Sequence, residues 1–143
     1  MILRGGLCGL AGGFALGFFL KWTQGVTGLT VYTLLLNIDF LYPYPLPEWV
    51  EFAIHLGVAV LIGAGFGAIV KKTRISRFRN QLLLASLITL PAVFLYFPLS
   101  LLAIKSVPSI WNAAAFGWWS AGHAVFVLAM CGGVWAFTSK RTN

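Results

Sequence analysis

The sequence predicts an all-α fold: a polytopic integral membrane protein with four transmembrane helices and a short interfacial or re-entrant segment between the first two. Composition supplies the first reason. Of 143 residues, 59% are hydrophobic and 9% charged, with a mean hydropathy of +0.89, whereas a soluble domain carries roughly 25% charged residues. Segment length supplies the second, because four apolar stretches reach the roughly 20 helical residues that cross a hydrocarbon core about 30 Å thick. Backbone chemistry supplies the third. An unpaired amide in lipid costs several kcal/mol, and the alternating pattern of barrel strands is absent.

The first span covers about 3–22, with sixteen uncharged residues between Arg4 and Lys21. The others cover about 49–70, 80–104 and 112–137, so that 1–143 forms a single transmembrane domain. Between the first two, the chain carries Thr23, Gln24, Thr27, Thr30, Thr33, Asn37 and Asp39. If the first helix ends at Lys21 and Trp22, no residues remain for a turn into a fifth crossing, so this segment is expected at the interface or re-entering shallowly. Pro43, Pro45 and Pro47 then force an extended stretch, and Glu48 opens the second span. Pro91 and Pro98 predict a bent or broken third span.

The net charge of +7 sits at the edges of apolar blocks, where it sets membrane orientation, and nucleic acid is excluded as a partner. One side would hold Arg4, Lys71, Lys72, Arg74, Arg77, Arg79, Lys140 and Arg141, and the other only Lys21 and Lys105. That bias predicts both termini in the cytoplasm, with the chain in the cytoplasmic (inner) membrane. The loop from Lys71 to Arg79 is expected to meet anionic headgroups at about 1 kcal/mol per charge. The first apolar stretch runs into Phe18, Phe19, Leu20 and Lys21 without a small-residue cleavage site, so it is expected to be retained. Cys8 and Cys131 are expected as small apolar fillers.

Gly5, Gly9, Gly13 and Gly17 recur every four residues in the first span, and Ala59, Gly63 and Gly67 in the second, beside a parallel row of Gly57 and Gly65. Such a glycine zipper lets another backbone approach closely. The spacing does not name the partner, which is a neighbour in the bundle, a second copy, another membrane protein or a pore.

Glu51 and His55 lie one turn apart on the second span, with Glu48 a turn earlier and Ala59 and Gly63 continuing the face. Ionisable groups inside a span are expensive, which makes them a functional-site hypothesis. The alternative is a pair of solvated carboxylates and a core histidine bonded to a backbone carbonyl. His123 lies about 16 Å into the fourth span at 1.5 Å per residue, among Gly117, Ala121 and Gly122, with Trp118 and Trp119 beside it. The expected polar intramembrane site is therefore Glu51, His55 and His123, with Asp39 and Glu48 as an outer acidic cluster. The outer acids with His55 form a candidate proton-responsive group titrating under mildly acidic conditions.

No cofactor is expected. Haem between His55 and His123, or a metal that adds Glu51, is the alternative, although His55 lies only about 10 Å deep by the same rise. The chain carries no H-E-x-x-H, no G-x-S-x-G and no P-loop. Ser120-Ala121-Gly122-His123 approaches the Pro-Ser-Gly-His element of lipid phosphatases, but the basic phosphate clamp and the downstream histidine with its acid are missing. The favoured function is non-enzymatic: transport, permeation or a stress-related role. The alternatives are a haem- or metal-binding module, or an accessory subunit packed on a larger membrane complex.

Four short elements carry a family likeness: Leu20-Lys21-Trp22 closing a small-residue first span, His55 early in the next, Phe97-Pro98-Leu99, and Gly122-His123 in the last. On these the chain resembles the YagU-like family of bacterial inner-membrane proteins. The longer proline-rich outer segment of that family is reduced here to Pro43 through Pro47. The resemblance implies a polytopic inner-membrane protein and brings no activity with it.

Overall fold

The computed structural model describes residues 1–139, which form six helices and no strand. Lys140 and Arg141, counted above on the basic side, lie outside the described residues. In order, α1 is Ile2–Thr27, α2 Val31–Leu35, α3 Glu48–Thr73, α4 Phe78–Phe94, α5 Tyr96–Leu101 and α6 Ala113–Ser139. Four units are long and apolar enough to cross a membrane: α1, α3, α6, and α4 continued by α5.

The boundaries differ from expectation for local reasons. α1 does not end at Trp22. The Thr23 and Thr27 hydroxyls donate back to the carbonyls of Phe19 (2.9 Å) and Thr23 (2.7 Å), so these polar side chains stay compatible with the helix. The turn comes instead at Gly28, in the left-handed region at φ 74°, whose N–H caps the Gln24 carbonyl at 2.9 Å. The segment beyond it, expected at the interface or re-entering, forms α2. This short helix folds back along the end of α1 and reaches α5 and α6, burying Val31 and Leu34. The proline-rich stretch 43–47 is irregular, as its composition requires.

The third span is interrupted at Leu95, between α4 and α5. Pro98 explains the position. It has no N–H for the Phe94 carbonyl, so one rung of the ladder is missing there, while the bonds from Leu95 N–H to the Pro91 carbonyl and from Leu99 N–H to the Leu95 carbonyl, both 3.0 Å, keep the two helices in line. Pro91 lies inside α4 without ending it. α5 ends at Leu101 rather than near 104.

α1 is the hub of the bundle, packed along both α3 and α6, while α6 also packs along α4. Its glycine face makes the first contact possible. A Cβ on Gly9 would stand 2.9 Å from the Cα of Gly63, and one on Gly67 would stand 3.0 Å from the Cα of Gly5. Gly13 faces Ala59, and Gly17 faces the Phe52 ring. On the other flank, Gly12 lies under Phe126, Gly122 under Leu16 and Leu20, and Gly133 against Cys8. The parallel row behaves differently: Gly57 and Gly65 have nothing within 4 Å, and neither has Gly117. Those three belong to outward faces. Outward faces elsewhere carry Leu3, Leu7, Phe18, Leu61, Leu83 and Leu87.

α3 and α4 meet only sparingly. The four long units therefore follow one another as α3, α1, α6 and α4, with a gap where the ring would close. At the end that holds Met1, the exposed Lys71, Lys72, Arg74, Arg77 and Arg79 surround the α3–α4 turn, and Arg4 lies over the Phe137 ring at 5.0 Å. The opposite end, called the distal end below, is roofed by α2, the segment that follows it, and the chain after α5.

Candidate functional site

The distal end gathers all three acids, but not as one cluster. α3 starts straight after Pro47, with Glu48 and Glu51 in its first turn, where carboxylates suit the positive end of the helix dipole. Glu48 is exposed. Its Oε1 accepts from Lys21 Nζ at 2.6 Å and from the Tyr32 hydroxyl at 2.9 Å. Burial, and then the neighbouring Glu48, push the Tyr32 phenol above its ordinary range, which keeps it a donor.

Glu51 is buried and turned the other way. Its Oε1 contacts Lys105 Nζ, the same ammonium that approaches Asp39 Oδ1 at 4.0 Å. Asp39 is buried too, and its Oδ2 accepts from the backbone N–H groups of Ile104 (2.7 Å) and Lys105 (3.0 Å). Asn37 completes the knot, donating from Nδ2 to the Leu99 carbonyl at 2.8 Å and accepting from the Asp39 N–H at 3.0 Å. One lysine thus serves two buried carboxylates and ties the segment after α2 to the chain after α5. The expected acidic cluster resolves into two separate ion-pair systems, Lys21–Glu48 and Asp39–Lys105–Glu51.

Below this roof lies a cavity of about 210 Å³, lined by aliphatic side chains of α3, α4 and α5 and by Asn37, Glu51, His55, Thr89, Trp119 and His123. The structure therefore brings together the three residues expected to form the intramembrane site. It faces the gap between α3 and α4, since Ile54, Val58 and Leu95 line it while remaining exposed. Its volume lies below the roughly 300–1,000 Å³ of ordinary ligand pockets.

The two histidines are held alike. His55 Nε2 donates to the Gly13 carbonyl at 3.1 Å, across the α1–α3 contact. His123 Nδ1 donates to the Trp119 carbonyl at 2.9 Å, one turn back on its own helix, and its ring lies against the Trp119 ring at 4.6 Å. The bond to a backbone carbonyl, the plainer reading of His55, is present. Neither nearby indole N–H serves His123: Trp119 Nε1 donates to the Val93 carbonyl at 3.0 Å, and Trp118 packs against Phe19. Among the described residues, no group of three or more His, Cys, Asp or Glu side chains is arranged to hold a metal, so Glu51, His55 and His123 share a cavity without converging as ligands.

A second void, a groove of about 490 Å³, lies on the distal side among Lys21, Gln24, Tyr32, Glu48, Glu51 and Lys105. Glu51 is the one residue lining both voids. Sequence reasoning missed Lys105 and Thr89 as parts of this site. Lys105 had a legible signal, being the one Lys, Arg, Asp or Glu between Arg79 and Lys140. Thr89 had none. Comparison with protein-family models, curated proteins and solved structures finds no match for this chain.

Proposed function

We propose that the chain is a non-enzymatic integral membrane protein that passes a small molecule between the bilayer and the distal groove by way of the intramembrane cavity. The observation that carries this reading is the position of Glu51, the one described residue that lines both voids, its carboxylate closed onto Lys105. The sparse α3–α4 contact supplies an entrance from lipid. Arg4 and the five basic residues of the α3–α4 turn favour an orientation with the Met1 end in the cytoplasm and the groove outside, in a cytoplasmic (inner) membrane. The likeness to the YagU-like family supports the same placement.

Reconstitution into liposomes tests the reading. Wild-type protein should accelerate the exchange of a bilayer-dissolved small molecule between the membrane and the aqueous phase, and Glu51→Leu, which removes the closing pair, should change that rate severalfold. Equal rates for wild type, Glu51→Leu and empty liposomes would sink it. A second reading is favoured by Gly57 and Gly65, which present an open small-residue face on the outside of α3: an accessory subunit, or a self-associating one, that packs this face against another helix.

A further inference from the structure

The polar atoms of the cavity are unequally satisfied, and the pattern specifies a ligand. Trp119 has committed its indole N–H to the Val93 carbonyl, and Asn37 one of its two amide N–H groups to the Leu99 carbonyl. A carbonyl oxygen only accepts, so His55 donates through Nε2 and His123 through Nδ1, and in a neutral ring the second nitrogen is an acceptor. Neither of those nitrogens has a partner among the described residues. Thr89 is the clearest case: 2% exposed, on the cavity wall, with a hydroxyl oxygen that has no hydrogen-bond partner among the described residues. Native proteins seldom leave a buried hydroxyl unpaired, because its desolvation is then uncompensated.

The cavity is thus lined by two histidines, each with one acceptor nitrogen unpaired among the described residues, and by the Thr89 hydroxyl, in a wall that is otherwise apolar apart from Asn37, Glu51 and Trp119. Its complement is an O–H group, which donates to an imidazole and accepts from Thr89. Charge is disfavoured at this site. The ammonium at its rim, Lys105, already serves Asp39 and Glu51, so an acidic head would add a third carboxylate to one cation. A cationic head at the depth of Thr89 and His123 would be desolvated with no unpaired anion beside it. We infer that the cavity binds the head of an uncharged, hydroxyl-bearing amphiphile, an alcohol or phenol on an apolar body, which enters from the bilayer between α3 and α4. This rests on the passage proposed above and names its substrate class.

Protein that keeps Trp119 as its one tryptophan, the other five replaced by Phe, is placed in phosphatidylcholine nanodiscs and titrated with bromine-labelled probes that quench Trp119 fluorescence on contact. Three probes of equal chain length are compared: a long-chain alcohol, the matching carboxylate and the matching bromoalkane. Specific quenching is the part reversed by the unbrominated compound. The alcohol should bind saturably and at least severalfold more tightly than the other two. Thr89→Val keeps the side-chain shape and breaks no side-chain hydrogen bond among the described residues, so its unfolding midpoint should equal or exceed that of wild type. Its affinity for the alcohol should fall roughly 3- to 10-fold, the worth of about one hydrogen bond, with the bromoalkane unaffected. Equal affinities for all three probes, tighter binding of the carboxylate, or an unchanged Thr89→Val affinity would overturn the inference while leaving a cavity that admits molecules from lipid. Absence of reversible quenching by any probe would overturn both.

Discussion

At the residue scale, Lys105 matters more than its partial exposure suggests. Its ammonium neutralises two carboxylates that are both buried, whereas Lys21 and Glu48 pair in the open with both side chains more than half exposed. Solvent screens the exposed pair, which is worth at most about 1 kcal/mol. Removing one partner of a buried pair strands the other, at a cost of roughly 3–5 kcal/mol. Lys105→Met should therefore destabilise by about 3 kcal/mol, at the low end because the lysine itself reaches water, and Lys21→Met by no more than about 1 kcal/mol, both measured by unfolding in detergent. Adding Glu51→Gln to Lys105→Met should recover part of the loss, because one stranded charge is gone. Additive losses would mean that Glu51 does not depend on Lys105. The acids of this site were legible in the sequence as the only three in the chain. Lys105 stands out as an isolated charge, but its pairing with them was not legible, because it is 54 residues from Glu51 and 66 from Asp39.

At the scale of the element, the four-residue glycine spacing identified a close-packing face on α1, and the structure sets α3 against it. The spacing could not separate Gly63 and Gly67, which meet backbone, from Gly57 and Gly65, which meet nothing. Both rows obey the same periodicity, and only the docking direction of α3 decides between them. Gly9→Ala should consequently cost at the upper end of the roughly 1–3 kcal/mol of overpacking, since the opposing atoms are backbone and cannot rotate away. Gly57→Ala should be neutral or should gain up to roughly 1 kcal/mol from helix propensity. Detergent thermal melts of the two variants decide it, and similar midpoints would contradict the assigned interface. Pro98 affords a second test on α4 and α5. Pro98→Ala restores the donor for the Phe94 carbonyl, so the new amide at position 98 should show protection in hydrogen exchange, and α4 and α5 should join across Leu95.

For the whole molecule, the number of long helices and their approximate limits could be read from apolar length alone. The missing closure between α3 and α4 could not, because it depends on which faces α1 and α6 occupy. Sidedness rests on charge and can be tested directly. Ser76→Cys, in the basic turn, and Pro45→Cys, in the distal proline stretch, should be labelled by membrane-impermeant reagents from opposite faces, Ser76→Cys from the cytoplasm. Labelling of both from one face would refute a four-span arrangement.

The central position of α1 has a bearing on biosynthesis. Besides α2, its neighbours are α3, the next long helix, and α6, which appears only after α4 and α5. Until α6 is made, Gly12, Leu16 and Leu20 stay bare on one flank of α1. α1 and α6 are also less apolar than α3 and α4, and a larger share of each is buried in the finished bundle. A nascent chain stalled between α3 and α6 would hold half of that interface and none of the wall that carries His123. The cavity comes into existence only when the last helix docks against the first.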